Sequence, residues 1–339
     1  MDIQEILKPI DDLWNRQHVA GVAHLNELAQ PPFGSWHGYG WRKEANGVVV
    51  SPFVDDPENM VALVAKIKQL VPQEVTVEGL VTPRFREIGG GVPQQLPNLD
   101  TFQPGNIILR DCRSAHNGTI GAFLTAGDGS IWLLSNRHVM AGCSGSQLLG
   151  AGRIELGTDV RSVDKSNLVD ASVVKINDPL QVNPHFEEVG PVQQFAPQAL
   201  SKLLNETPLI GNEKPPVSKF GNITTLTNGK LVLQCAKVEI VDLNRMVKKF
   251  VDQLAIVSDG GLFAQPGDSG SLIISNEQPI GLLFAVSDHV IEIPENQSLK
   301  PPFYLANRLD NVIQELSNQE VVGLPLQLML DKKQAMAAR

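Results

Sequence analysis

Gly267-Asp268-Ser269-Gly270-Ser271-Leu272-Ile273-Ile274 carries the strongest structural signal in the chain. Its glycines permit a tight turn, and the residues after Ser269 run straight into apolar sequence. A second apolar run, Pro279-Ile280-Gly281-Leu282-Leu283-Phe284-Ala285, follows closely. Short continuous apolar runs bounded by turn residues read as buried strands. A polar hairpin would explain Gly-Asp-Ser-Gly by itself, but the neighbouring runs place this turn between two core strands.

The same texture begins near Asn106. The clearest strands are Ile131–Leu134, Ser172–Ile176, Leu231–Val241, Gln253–Val257, Ser271–Ile274 and Ile280–Val286. Gly127-Asp128-Gly129 and Asn228-Gly229 are hairpin turn signals. Leu305, Leu309, Val312, Ile313 and Leu316 recur at helical spacing, which predicts one late amphipathic helix. Residues 106–318 therefore read as an all-β unit closed by a helix, and 319–339 as a mixed tail.

Upstream the character changes. From Arg84 to Gly105 the chain holds Gly89-Gly90-Gly91-Val92-Pro93, Pro97 and Pro104, with no periodicity. That composition reads as a linker, assigned to 87–105, and as the stretch most open to proteases. Before it, Ile3, Ile6, Leu7, Ile10, Leu13 and Trp14 form a helical stripe in which Pro9 should kink or restart the helix. Asp56-Pro57 is a helix-start signal. It precedes a second stripe through Met60, Leu63, Val64, Ile67, Leu70 and Val71, flanked by strand-like runs at 47–50 and 74–78. Residues 1–86 thus read as a small α+β domain.

At 339 residues, two domains of about 150 residues each are expected. Hydrophobic residues at 42% and charged residues at 19% fit a globular protein with a good core. The formal charge of −9 argues against a nucleic-acid partner, which needs a concentrated basic face. No apolar run approaches the roughly 18 residues of a membrane span. The start, Met1-Asp2-Ile3-Gln4-Glu5, lacks the basic and apolar regions of a secretory signal. Cysteine is confined to Cys112, Cys143 and Cys235, which fits a reducing cytoplasm better than a disulfide framework.

The chemistry sits at strand ends. Ser269 is a candidate nucleophile, and the amides of Gly267 and Ser269 are candidates for an oxyanion hole, at about 3 kcal/mol per donor. Among seven histidines, His138 closes the apolar run Ile131-Trp132-Leu133-Leu134 and opens a turn, where a base can be held rigidly. His116 is its rival. Asp170 leads into Ala171-Ser172-Val173-Val174-Lys175-Ile176 and is the best-placed acid, with Asp164 next and Asp159 and Asp178 in the same window. A hydroxyl activated by an imidazole, itself held by a sheltered carboxylate, is the equipment of acyl transfer.

These three segments resemble the chymotrypsin/trypsin-like serine peptidase family, closest to its intracellular bacterial-type branch, over roughly Asn106 to Leu316. The resemblance rests on Leu134-Ser135-Asn136-Arg137-His138-Val139, Asp170-Ala171 and Gly267-Asp268-Ser269-Gly270. Residues 217–225 and 304–309 add to it, the latter as the start of the final helix. It implies two six-stranded antiparallel β-barrels with a C-terminal helix. It also implies endopeptidase activity through an acyl-enzyme on Ser269, with His138 as general base and Asp170 as orienting acid. No metal or organic cofactor is implied. The primary pocket would be walled by Phe263, Ala264 and Gln265 and by Phe284 and Ala285. Phe263 stands where a basic-specific enzyme carries an acid, so cleavage after small or medium apolar residues is expected. Asp268 is expected either to find an internal partner, the favoured case, or to be ordered after cleavage in the 84–105 linker. Partners implied are a protein or peptide substrate and an upstream activating protease or regulator. The competing reading is a catalytically silent peptidase-like module that binds peptides. An esterase is disfavoured, because Gly-x-Ser-x-Gly there precedes a helix and Ser269 precedes a strand.

Overall fold

A computed structural model describes residues 3–19, 36–44, 47–82, 84–89, 101–110, 117–141, 148–149, 155–164, 166–186, 188–195, 200, 214–287 and 302–331. The chain is mainly β with few helices. It opens with α1 (Ile3–Val19), then β1 (Trp36–Glu44), β2 (Gly47–Val54), α2 (Pro57–Lys68), β3 (Val75–Val77), β4 (Leu80–Val81) and β5 (Phe85–Glu87). Next come β6 (Ile107–Arg110), β7 (Asn117–Thr119), β8 (Ala122–Ala126), β9 (Ile131–Ser135), the single turn α3 (Arg137–Met140), β10 (Leu148–Leu149), β11 (Glu155–Gly157), β12 (Val160–Ser162) and β13 (Ser172–Lys175). The last part holds β14 (Pro216–Gly221), β15 (Thr225–Val241), β16 (Val247–Ser258), β17 (Leu272–Ser275), β18 (Gln278–Ser287), β19 (Phe303–Arg308), α4 (Leu309–Ser317) and β20 (Leu326–Leu328).

Helix α1 runs unbroken through Pro9 and does not restart there. Its stripe Ile6, Leu7, Ile10, Leu13 and Trp14 is buried against Trp36, Tyr39 and Trp41 of β1 and the apolar face of α2. At about 1.5–3 kcal/mol per buried large side chain, that packing outweighs one lost backbone hydrogen bond. Asp56 caps α2 by accepting from Glu58 N–H at 2.9 Å. Strands β2 and β3 flank α2 in parallel register, giving the expected β-α-β unit.

Among the described residues the strands form three sheets. One has eleven strands, in the order β14-β17-β18-β19-β16-β15-β1-β2-β3, with β4 on β2 and β5 on both β15 and β18. The others run β11-β10-β6-β7 and β12-β13-β9-β8-β20. The N-terminal strands continue the large sheet: β1 lies antiparallel to β15, Gly38 opposite Val238 and Trp41 opposite Cys235. The largest apolar cluster draws Leu124 and Leu134, Leu254 and Leu282, and Leu309 to Leu316 into one core. Among the described residues no helix is long and apolar enough to cross a membrane.

One late element differs from expectation. Residues 303–308 form β19, and the helix starts only at Leu309. Every residue of β19 is buried, so its apolar run carries no period that separates strand from helix.

Candidate active site

Two chain reversals and one buried loop meet at the junction of the sheets. Strand β9 ends at Ser135, and Asn136 turns the backbone into α3, which carries His138. Asn136 Nδ2 donates to Asp170 O at 2.9 Å, tying that turn to the residues ahead of β13. Asp170 is buried, and its own N–H donates to Asn307 Oδ1 at 3.0 Å. Asn307 in turn donates through Nδ2 to Gln253 Oε1 at 2.6 Å, and Gln253 Nε2 donates to Leu168 O at 2.8 Å. A polar chain from β16 and β19 thus fixes the backbone that presents Asp170.

The loop before β17 brings Ser269. Gly270 sits at φ +94°, and a Cβ there would collide with Ser135 Oγ and Thr119 O, so only glycine fits. Thr119 is the second anchor. Its N–H donates to Ser269 O at 2.8 Å, and its hydroxyl donates to Gly267 O at 2.9 Å. With those carbonyls turned onto Thr119, the N–H groups of Gly267 and Ser269 donate to no backbone carbonyl among the described residues.

These elements bring three side chains together. His138 Nδ1 is hydrogen-bonded to Asp170 Oδ2, and His138 Nε2 lies 2.8 Å from Ser269 Oγ. The His138 N–H also donates to Asp170 Oδ1 at 3.3 Å. The rival acid Asp164 instead pairs with Arg137 at 2.8 Å on the surface. His116 lies outside the described residues, as do Cys112 and Cys143.

A second carboxylate, unforeseen from sequence, reaches the same place. Glu87 of β5 is buried, and its carboxylate, His138 and Asp170 offer atoms within 4.8 Å of one another. Burial raises the Glu87 carboxyl and the nearby Asp170 raises it further, against the opposing pull of His138 and Lys248. Burial alone would lower the His138 imidazole, but the charge and hydrogen bond of Asp170, with Glu87 behind, hold it above its ordinary value. The ring nitrogens of His138 face Asp170 on one side and Ser269 on the other.

Asp268 has an internal partner. Its carboxylate accepts from Gln265 N–H at 2.9 Å, Ile223 N–H at 2.8 Å and Thr224 Oγ1 at 2.7 Å, and it pairs with Lys219 Nζ at 3.4 Å. Neither Lys219 nor Asp268 is exposed to solvent. Burial pulls the Lys219 ammonium below its ordinary value, with Asp268 working against that pull.

The expected pocket walls separate into two groups. Phe263 and Ala264 are buried in the largest apolar cluster, and Phe263 packs on Tyr304 with ring centroids 5.4 Å apart. Gln265 is exposed. Phe284 and Ala285 belong to a different cluster with Phe53, Phe85 and Phe250, so their side chains serve that core. The register of β18 against β19 shifts between Leu283 and Ala285, where β18 passes from the one cluster to the other.

No protein-family model and no curated protein matches the sequence. Solved structures show a distant likeness. Thermobifida fusca protease A is 13% identical over 68% of this chain and 100% of its own, with a TM-score of 0.41. Nocardiopsis protease is 13% identical over 67% of this chain and 99% of its own, with a TM-score of 0.40. Cellulomonas bogoriensis chymotrypsin is 14% identical over 68% of this chain and 100% of its own, with a TM-score of 0.37.

Proposed function

We propose that the protein is a cytoplasmic serine endopeptidase of trypsin-like architecture, with residues 106–318 as the two-barrel catalytic unit and 1–86 as a regulatory α+β part. The observation that carries this reading is His138 hydrogen-bonded to buried Asp170 on one side and 2.8 Å from Ser269 Oγ on the other. Ser269 Oγ attacks a peptide carbonyl while His138 Nε2 takes its proton. Asp170 fixes the tautomer and stabilises the imidazolium. The amides of Gly267 and Ser269, turned away from Thr119, receive the oxyanion. His138 then returns the proton to the leaving amine, and water hydrolyses the acyl-enzyme. The substrate is a protein or peptide. The primary pocket is lined by Phe263 and Ala264, with no carboxylate to pair a basic side chain, which favours small or medium apolar residues.

A proteome-derived peptide mixture incubated with the protein, with new termini mapped by mass spectrometry, tests both parts. Cleavage after apolar residues is expected, absent with Ser269→Ala. Strict cleavage after Arg or Lys would overturn the pocket assignment, and no Ser269-dependent cleavage would favour a silent peptide-binding module.

A further inference from the structure

The segment Phe85-Arg86-Glu87-Ile88 runs up to Ser269 as an extended strand. Strand β5 pairs antiparallel with β18, placing Phe85 opposite Ser287, Arg86 opposite Val286 and Glu87 opposite Ala285. Its other edge pairs with β15. Just past the strand, Ile88 N–H donates to Phe284 O at 3.0 Å, and Ser269 Oγ donates to Ile88 O at 3.0 Å. The Ile88 side chain is 2% exposed and belongs to the cluster that holds Phe263 and Ala264. Backbone pairing, a carbonyl at the hydroxyl and a buried apolar side chain converge on one residue.

We propose that the chain is its own substrate, cleaving the peptide bond between Ile88 and Gly89. This rests on the serine peptidase reading above. Ser269 Oγ bonds to the Ile88 carbonyl carbon and passes its proton to His138, as the carbonyl oxygen swings from the hydroxyl to the amides of Gly267 and Ser269. The C–N bond to Gly89 breaks, and His138 protonates the new Gly89 amine. Water then releases Ser269 and leaves Ile88 with a free carboxylate.

The consequence of the cut lies in the cleft. Asp268 already holds Lys219, so the loop around Ser269 needs no new N-terminus to order it. The new Ile88 carboxylate, by contrast, arises at Ser269 Oγ, next to the His138 imidazole. Strands β1 and β2 remain paired into the large sheet, so the N-terminal piece stays attached.

Full-length wild-type, Ser269→Ala and Ile88→Asp proteins, compared by intact mass and terminal peptide mapping, test this. The wild type should yield one piece ending at Ile88 and one beginning at Gly89, co-eluting on size exclusion. Ser269→Ala should remain a single chain. Ile88→Asp puts a charge where only apolar surface receives it, so it should stay uncut while a fluorophosphonate labels Ser269. Should Ile88→Asp not fold, Ile88→Gly removes only the side chain and should slow the cut about 10- to 100-fold. An uncut wild type with Ser269 labelled in either Ile88 variant would overturn self-cleavage and leave the peptidase reading standing. The same cut in Ser269→Ala would assign it to another protease and overturn the proposal. An uncut wild type with no labelling in any variant would overturn both.

Discussion

Ser269→Ala and His138→Ala should each lower kcat for an apolar peptide by about 10^6-fold, and Asp170→Asn by about 10^4-fold. The first two remove the nucleophile and the base outright. Asp170→Asn keeps the shape but places a donor where His138 Nδ1 must donate, so the imidazole is held in the wrong tautomer. Because the three groups act as one unit, Ser269→Ala combined with His138→Ala should be no worse than either alone. Steady-state kinetics on the single and double variants supply the check. A loss below tenfold in any single variant would remove that residue from the mechanism.

Lys219→Met should cost about 3–5 kcal/mol of stability, read from urea unfolding, because it leaves the Asp268 carboxylate buried without its counter-charge. Lys219 and Asp268 are both fully buried, so water cannot compensate for the missing partner. Lys219→Met combined with Asp268→Asn should recover part of the loss, since the stranded charge is gone. Independent, additive losses from the two substitutions would show that the pair is not coupled. The carboxylate also holds the amides of Gln265, Ile223 and Thr224, so its disturbance reaches the Ser269 loop as well as the core.

The reach of sequence reasoning followed physical lines. His138, Asp170 and Ser269 stand beside apolar runs, and a polar residue at the end of a buried strand is visible without a structure. The strands themselves are longer than their apolar cores suggested: β15 starts at Thr225, where the chain reverses out of β14, and β16 starts at Val247. Polar residues such as Lys230 and Lys249 belong to these strands because their neighbours hydrogen-bond them there. Lys219 reads as a surface lysine on a strand, and only the fold brings Asp268 to it.

Phe85-Arg86-Glu87-Ile88 was hidden most completely. It borders the Gly/Pro-rich stretch and is too short to show a period, and its strand exists only because β15 and β18 pair with both its edges. Local sequence carries no trace of such long-range pairing. Thr119 and Asn307 were equally silent, since each acts through partners far away along the chain: Gly267 and Ser269 for one, Asp170 and Gln253 for the other.

An imidazole clasped between a hydroxyl and sheltered carboxylates must betray itself in its titration. NMR titration of His138 is cleanest in Ser269→Ala, whose backbone stays whole. There the ring should titrate above the ordinary value near 6.5, because Asp170 and Glu87 favour the imidazolium more than burial opposes it. Adding Glu87→Gln should lower the midpoint, and adding Asp170→Asn should lower it further, leaving burial dominant and the ring neutral at pH 6.5. A His138 that titrates at the ordinary value and ignores Asp170→Asn would contradict the arrangement on which the proposed chemistry depends.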